Sequence, residues 1–303
     1  MTLPTRESVA TPPPTRETDS ETPTSNRNSF FTREFLLRSL TALVLLPVVL
    51  LAMLSGGNVW ALLVMVLVVI GTLEFHNMAQ GTLYAGGAWI GVPAAMAFVL
   101  AFALDVRESG LLVIGLIALT ALVAGLWQHK GRLRNTLKFT AMTLTGLFYI
   151  AIPGSFMIAV RGLPEGLLWL VVIVLMTWGT DTFAYLGGRR WGRHKLAPRL
   201  SPNKTVEGAV IGALGGFLPA LVFLHVTDHL SAATLLMIAL GPFIAILGDL
   251  LESALKRTFA IKDSHLPGLN IIPGHGGILD RVDALLLVSA YVYGFITIVG
   301  LAG

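Results

Sequence analysis

Residues 232–257 read AATLLMIALGPFIAILGDLLESALKR, and this stretch determines the class of fold. No charged residue precedes Asp249 in it, and the uncharged run approaches the length of about 20 residues that a helix needs to cross a bilayer. Asp249, Glu252 and Lys256 then follow at spacings that place all three on one helix face. A membrane-spanning helix that ends in charged groups predicts a polar site at one surface of the bilayer.

The composition of the whole chain agrees with this prediction. Of its 303 residues 54% are apolar and only 13% are charged, against ~25% charged residues in ordinary soluble domains. So few charges cannot cover a surface that faces water, which excludes a soluble enzyme, a disordered scaffold and a secreted disulfide domain. The chain has no cysteine, which also excludes a thiolate nucleophile and a cysteine-ligated metal.

Nine apolar stretches are long enough to span a membrane. Backbone groups in lipid must be hydrogen-bonded within their own segment, so the spans are helices and the predicted fold is an all-α polytopic membrane protein. We divide the chain into a disordered polar tail (1–33), five transmembrane helices (34–165), and four transmembrane helices that carry the catalytic site (166–303). The predicted spans are 36–55, 58–73, 88–105, 110–128, 139–160, 166–186, 205–225, 232–255 and 279–301.

The positions of the basic residues predict the orientation. With nine spans, all of the 21 Lys and Arg residues except Arg107 and Arg161 fall on one side of the membrane. Because basic residues concentrate on the cytoplasmic side, this distribution predicts a cytoplasmic N-terminus and a multi-pass protein of the inner or plasma membrane. The polar site near Asp249 then faces the cytoplasm.

Carboxylates occur at the same predicted depth in three helices. Asp181 lies near the end of the sixth span, Asp249 lies in the eighth, and Asp280 and Asp283 open the ninth. An aspartate in the hydrocarbon region costs ~2.5–3.5 kcal/mol, so it usually has a partner or a function. Without cysteine, this set suits a hard cation such as Mg²⁺. The alternative is that each carboxylate is a helix-end charge paired with a nearby Lys or Arg.

Two further segments indicate phosphate binding. Ser201-Pro202-Asn203-Lys204-Thr205, followed by Glu207, lies where a helix begins, and free N–H groups at such a position bind phosphate. Pro273-Gly274-His275-Gly276-Gly277 leads into the ninth span, and its glycines would let the backbone approach a phosphate closely. The alternatives are a simple N-cap at the first segment and an ordinary turn at the second.

Carboxylates, basic side chains and glycine-rich helix entrances together are typical of polyphosphate chemistry. The chain has no Walker A sequence, so a P-loop ATPase is not expected. Because the predicted site lies at the level of the lipid headgroups, we expect one soluble nucleotide substrate and one lipid substrate.

Two long motifs carry these residues. Residues 177–208 read TWGTDTFAYLGGRRWGRHKLAPRLSPNKTVEG, and residues 248–283 read GDLLESALKRTFAIKDSHLPGLNIIPGHGGILDRVD. Both resemble the phosphatidate cytidylyltransferases, also called CDP-diacylglycerol synthases. The loop 264–272 is longer than in the family pattern.

The resemblance implies that CTP and phosphatidate react to give CDP-diacylglycerol and pyrophosphate. It implies Mg²⁺, with a second cation in the same acidic cluster left open, and it implies CTP, phosphatidic acid and the lipid bilayer as partners. No nucleic acid is expected, and a homodimer is left open. Carried onto this sequence, the expected catalytic residues are Asp249, Asp280, Lys256, Arg257 and Arg281; the expected substrate-binding residues are Ser201, Lys204, Thr205, Glu207, Asp181, His275, Gly276 and Gly277; and the expected metal ligands are Asp249, Asp280 and Asp283.

Two other functions stay open at this point. A CTP-dependent lipid kinase of the dolichol or phytol kinase type would transfer the terminal phosphate to an alcohol and would therefore need a base. A transporter with an acidic intramembrane site would show broken helices near the membrane midplane and repeat symmetry. The complete second motif favours the cytidylyltransferase over both.

Overall fold

The structure is a computed structural model that describes residues 33–80, 87–104, 110–261, 264 and 277–301. These residues form helices and one β-hairpin, which confirms the all-α membrane fold and adds a small sheet that the sequence did not predict. The helices are α1 (Arg33–Ser55), α2 (Gly57–Met78), α3 (Ala88–Ala103), α4 (Gly110–Gln128), α5 (Leu133–Gly146), α6 (Ile152–Arg161), α7 (Gly166–Trp191), α8 (Val206–Val226), α9 (Ala232–Thr258) and α10 (Leu279–Val299). The antiparallel strands of the hairpin are β1 (Lys195–Ala197) and β2 (Ser201–Thr205).

Six helical segments of the described residues are long and apolar enough to cross a membrane. They are Gly57–Met78, Leu133–Arg161, Gly166–Trp191, Val206–Val226, Ala232–Thr258 and Leu279–Val299. Three shorter apolar helices are Leu43–Ser55, Ala88–Ala103 and Leu112–Gln128. Each of the nine predicted spans overlaps one of these segments, so the multi-pass architecture is confirmed. The count of nine spans and the division of the chain at 165 stay predictions, and the predicted tail (1–33) lies outside the described residues except for Arg33.

A π-helical turn, Leu147–Ala151, joins α5 to α6 within one continuous span. The N–H of Ile152 donates to the carbonyl of Leu147, five residues earlier, as in a π-helix. Pro153 follows directly; it has no N–H, and its ring is incompatible with the α-helical hydrogen bond to the preceding turn. The π turn places Tyr149 in the interior of the protein, where it is 9% exposed.

The close pairing of α7 with α8 positions the hairpin. A Cβ atom at Gly212 would lie 2.7 Å from the carbonyl oxygen of Thr180, and one at Gly208 would lie 2.8 Å from that of Ala184. The two backbones can therefore approach this closely only because glycine occupies these positions, as is common where membrane helices pack. The start of α8, and the strand β2 that leads into it, are held against the end of α7.

Candidate active site

A cleft of about 600 Å³ opens where α7, the hairpin, α9 and α10 meet. Residues of both sequence motifs border it. The predicted site residues that line it are Asp181, Ser201, Lys204, Thr205, Asp249, Asp280, Arg281 and Asp283. The structure thus brings most of the residues that the motifs indicated to one end of the helices.

Three carboxylates converge in the described part of the chain. Asp249, Glu252 and Asp283 each offer one oxygen, and these oxygens all lie within 4.8 Å of one another. We call these residues the acidic trio. Glu252 and Asp283 are buried, whereas Asp249 is half-buried. Converging carboxylate oxygens are the ligands that a hard cation such as Mg²⁺ prefers, so the donor set fits the predicted metal.

The acidic trio includes Glu252, which the sequence analysis did not expect as a metal ligand, and Asp280, which it did expect, lies beside the trio. Lys256 Nζ lies 2.6 Å from Glu252 Oε2 and 3.1 Å from Asp280 Oδ1. The lysine side chain is only 13% exposed, and it bridges α9 and α10 largely out of water. Asp280 therefore borders the acidic trio, paired with Lys256, and Lys256 neutralises carboxylates on both helices.

Lys204 reaches the acidic trio from the hairpin. Its ammonium group forms an ion pair with the carboxylate of Asp249, and both side chains are partly exposed to the cleft. Asp181 lies on the α7 wall of the cleft, in electrostatic range of both residues and of Arg281. Two cationic and two anionic side chains therefore face each other across the opening, which suits a ligand that is itself anionic and metal-bound.

Glu207 holds the base of the hairpin in place. Its carboxylate accepts the backbone N–H groups of Arg193, at 3.0 Å, and of His194, at 3.1 Å, and it also contacts His194 Nδ1 at 2.6 Å. Thr205 caps α8, because its hydroxyl oxygen accepts the N–H of Gly208 at 3.1 Å. The start of α8, where a phosphate was expected to bind, is thus capped by Thr205, in agreement with the N-cap alternative. Lys204 is the residue of this segment that faces the acidic trio.

The two arginines of the second motif have different surroundings. Arg257 donates to the backbone carbonyls of Leu200, at 3.2 Å, and Ile261, at 2.7 Å, so it ties the end of α9 to the hairpin. Arg281 lines the cleft. Of the two, Arg281 has the geometry for contact with a substrate phosphate.

Carboxylates occupy the backbone N–H groups at the start of α10. Gly277 N–H donates to Asp280 Oδ2 at 3.0 Å, while the N–H groups of Ile278 and Leu279 donate to Glu74 of α2. Of these three groups, only the N–H of Gly277 belongs to the glycine-rich segment that was expected to approach a phosphate. His275 and Gly276, predicted to bind substrate, lie outside the described residues.

Tyr149 and Glu74 are residues that the sequence analysis did not assign to the site. The Tyr149 hydroxyl is buried without a hydrogen-bond partner among the described residues. It lies in electrostatic range of all three members of the acidic trio. A lone carboxylate in an otherwise apolar span is the sequence signal that marks Glu74. Tyr149 has no such signal, because a tyrosine in a membrane helix is unremarkable and the π turn that orients it has no sequence pattern.

Comparison with known proteins identifies the family of this chain. The cytidylyltransferase family matches residues 36–299, and the chain belongs to that family. The matched region includes every helix that borders the cleft.

Curated relatives of this chain carry a more specific name than the family as a whole. The phosphatidate cytidylyltransferases of Staphylococcus haemolyticus (strain JCSC1435) and Staphylococcus aureus (strain COL) are each 34% identical to this chain. Each match covers 83% of this chain and 95% of the relative. The predicted resemblance is therefore confirmed, and it extends well beyond the two motifs that first indicated it.

Proposed function

We propose that this protein transfers a cytidylyl group from CTP to phosphatidate and produces CDP-diacylglycerol and pyrophosphate. The observation that carries the proposal is the cleft at one end of membrane-spanning helices, where Lys204 and Arg281 lie with two members of the acidic trio and the third lies beside them. Family membership and the names of the relatives support the same reaction.

The chemistry needs little proton transfer. The second pKa of a phosphate monoester is about 6, so the headgroup of phosphatidate is mostly dianionic at neutral pH and needs no strong base. One of its oxygens attacks the α-phosphorus of CTP. A new P–O bond forms, the bond from the α-phosphorus to the bridging oxygen breaks, and pyrophosphate leaves with that electron pair. The main obstacle is the repulsion between two anions.

The donor set supports a divalent cation. Asp249, Glu252 and Asp283 would hold Mg²⁺, with Asp280 beside them, and the bound ion would neutralise charge on the phosphoryl oxygens. A second cation in the same cluster remains part of the proposal. Asp280, which is paired with Lys256 here, would then offer this cation a carboxylate oxygen.

Basic side chains would position the phosphates. Lys204 is paired with Asp249, so a CTP phosphate that entered the cleft would compete with this carboxylate for the ammonium group. Arg281 faces the same space from α10, and Ser201 and Thr205 line it from β2. These groups can bind and orient both substrates, which lowers the entropic cost of bringing them together.

The position of the cleft suits one soluble and one lipid substrate. We place it on the cytoplasmic side of the cell membrane, in line with the basic residues, so that CTP arrives from the cytoplasm and phosphatidate from the bilayer. A single chain supplies all the residues that we assign to the site. A homodimer, if it forms, would then contain two complete sites.

A product assay tests the proposal against its closest alternative. Purified protein in mixed micelles would receive phosphatidate, Mg²⁺ and CTP labelled on the α- or the γ-phosphate. We expect the α-label to enter the lipid phase and EDTA to prevent this. Entry of the γ-label would identify a lipid kinase. No transfer of either label would contradict an enzyme of either kind.

A further inference from the structure

Glu74 of α2 contacts the backbone of a distant helix. It is only 2% exposed. Its Oε1 accepts the N–H of Ile278 at 2.9 Å, and its Oε2 accepts the N–H of Leu279 at 2.8 Å. Burial of a carboxylate costs free energy unless the group is hydrogen-bonded, and the two N–H groups of α10 supply such bonds.

The contact completes the start of α10. The first N–H groups of any helix have no partner within the helix, and the N-cap residue of α10, Ile278, has no side chain that could accept one. Glu74 therefore acts as the cap from another part of the chain. Its negative charge is also favourable at the positive end of the helix dipole.

Gly277 and Ser264 lie directly against this cap. A Cβ atom at Gly277 would lie 2.6 Å from Glu74 Oε2 and closer still to Ser264 Oγ, so only glycine leaves room for both. The Ser264 hydroxyl lies 2.9 Å from Asp280 Oδ1 and 3.4 Å from Glu74 Oε2. It has one hydrogen to donate, and the shorter distance favours Asp280.

The first turn of α10 carries the groups that border the acidic trio. Asp280 is bonded to Ser264 and to Lys256, and Asp283 belongs to the trio itself. A shift of this turn by a fraction of an ångström would change the distances among all of these groups. Whatever fixes the start of α10 therefore fixes the geometry of the cluster.

We propose that Glu74 is a positioning residue for the reaction, which caps α10 from α2 and so holds Asp280, Arg281 and Asp283 where the substrates and cation need them. This inference rests on the proposed function, but the cap itself can be measured without any reaction. Glu74→Gln is the informative variant, because it keeps the shape while it replaces one of the two acceptor oxygens with a donor.

Hydrogen exchange tests the cap directly. A hydrogen bond to a charged acceptor contributes about 1.5–3 kcal/mol, which corresponds to a factor of roughly 10–150. We expect the amides of Ile278 and Leu279 to exchange at least about tenfold faster in Glu74→Gln than in the unmodified protein. Unchanged exchange would overturn the proposal, whatever reaction the protein catalyses.

The Mg²⁺ dependence of turnover separates positioning from folding. A residue that only stabilised the fold would lower kcat through the folded fraction and leave the half-saturating Mg²⁺ concentration unchanged. We expect this concentration to rise by about tenfold in Glu74→Gln, in proportion to one lost charge-assisted bond. An unchanged half-saturation would contradict the positioning role. Absence of activity in the unmodified protein would instead count against the proposed function and leave the exchange result standing.

Two further variants complete the experiment. Glu165→Gln is the matched control: Glu165 is also at the start of a helix, α7, but at the opposite end of the bundle, next to His229. It should change neither measurement. Glu74→Asp keeps the charge and withdraws it by one methylene, so it should show smaller shifts in the same direction. If Glu74→Gln does not fold, values for Glu74→Asp equal to those of the unmodified protein would overturn the inference.

Discussion

Two regions of the molecule contribute polar groups at or near the acidic trio, and they do so in different ways. The helices α9 and α10 and the hairpin bring many charges, which neutralise one another through the pairs Lys204–Asp249 and Lys256–Asp280. The region of α2 and the π turn contributes two single polar groups. Glu74 is bonded to the backbone of α10, and the Tyr149 hydroxyl has no hydrogen-bond partner among the described residues. Side chains in ion pairs can exchange partners when an anionic ligand binds. A single polar group acts only through the one or two hydrogen bonds that it can make.

This difference predicts the relative size of mutational effects. Substitutions among the compensating charges should abolish chemistry or destabilise the fold, because each leaves another charge uncompensated. Substitutions around α2 and the π turn should shift the chemistry without abolishing it.

Asp249→Asn should have the largest effect. It removes a charge of the acidic trio and the partner of Lys204, so we expect turnover to fall on the order of 10³-fold, as for loss of several kcal/mol of charge stabilisation. The measurement is transfer of α-label from CTP into lipid. Asp228→Asn is the control, since Asp228 lies beyond α8 at the other end of the bundle and its left-handed backbone (φ 59°) tolerates Asn. Turnover of Asp249→Asn near that of the control would contradict the role of the trio.

Lys256→Met should mainly reduce stability. It leaves the carboxylates of Glu252 and Asp280 without their shared cation, and breaking such a buried pair costs roughly 3–5 kcal/mol. The free energy of unfolding in mixed micelles measures this. The neighbouring Arg257→Gln serves for comparison, because Arg257 is exposed and the loss of its two bonds to backbone carbonyls should cost at most about 1–2 kcal/mol. Equal destabilisation by the two variants would show that Lys256 is not the bridge between α9 and α10.

Lys204→Ala should raise the apparent KM for CTP. We expect an increase of about tenfold or more, the equivalent of one hydrogen bond between charged groups, and a smaller change in the KM for phosphatidate. The released Asp249 keeps its place in the trio, so some turnover should remain. If the KM for CTP stays unchanged, Lys204 does not contact the nucleotide.

Tyr149→Phe should have the smallest effect on this scale. The hydroxyl has no hydrogen-bond partner among the described residues, so its removal costs little stability. We expect turnover to fall by a factor of about two to ten, corresponding to one neutral hydrogen bond to the cluster or its ligand. Tyr291→Phe is the control: that hydroxyl donates to the carbonyl of Met237. Met237 precedes Asp249 by twelve residues along α9, so Tyr291 is far from the acidic trio. The turnover of Tyr291→Phe should match that of the unmodified protein, and identical values for both variants would remove Tyr149 from the site.

The sequence predicted the compensating charges more completely than the isolated groups. Asp249 and Glu252 share a helix face because of their spacing, and the ends of the spans set the depth at which they meet Asp283. The rotation of α10 against α9 has no such pattern, so the sequence did not show that Glu252 lies in the trio while Asp280 pairs with Lys256. These positions depend on how the side chains of the two helices pack.

The hairpin and the α10 cap depend on specific polar contacts that hydropathy does not indicate. The strands at 195–205 contain little apolar periodicity, and their base is held by Glu207, whose carboxylate accepts the backbone N–H groups of Arg193 and His194. Glu74 could be recognised as a costly residue in its span, but its partners are more than 200 positions away. Helix spans follow from local hydropathy, whereas these contacts follow only from how the spans pack.

The central claim is that the acidic trio at one end of the helices supports cytidylyl transfer to a lipid. It is tested most directly by following α- and γ-labelled CTP with the unmodified protein and with Asp249→Asn side by side. We predict that the α-label alone enters lipid, that this requires Mg²⁺, and that the variant loses it. Entry of the γ-label, or transfer of the α-label by Asp249→Asn at the rate of the unmodified protein, would contradict the claim.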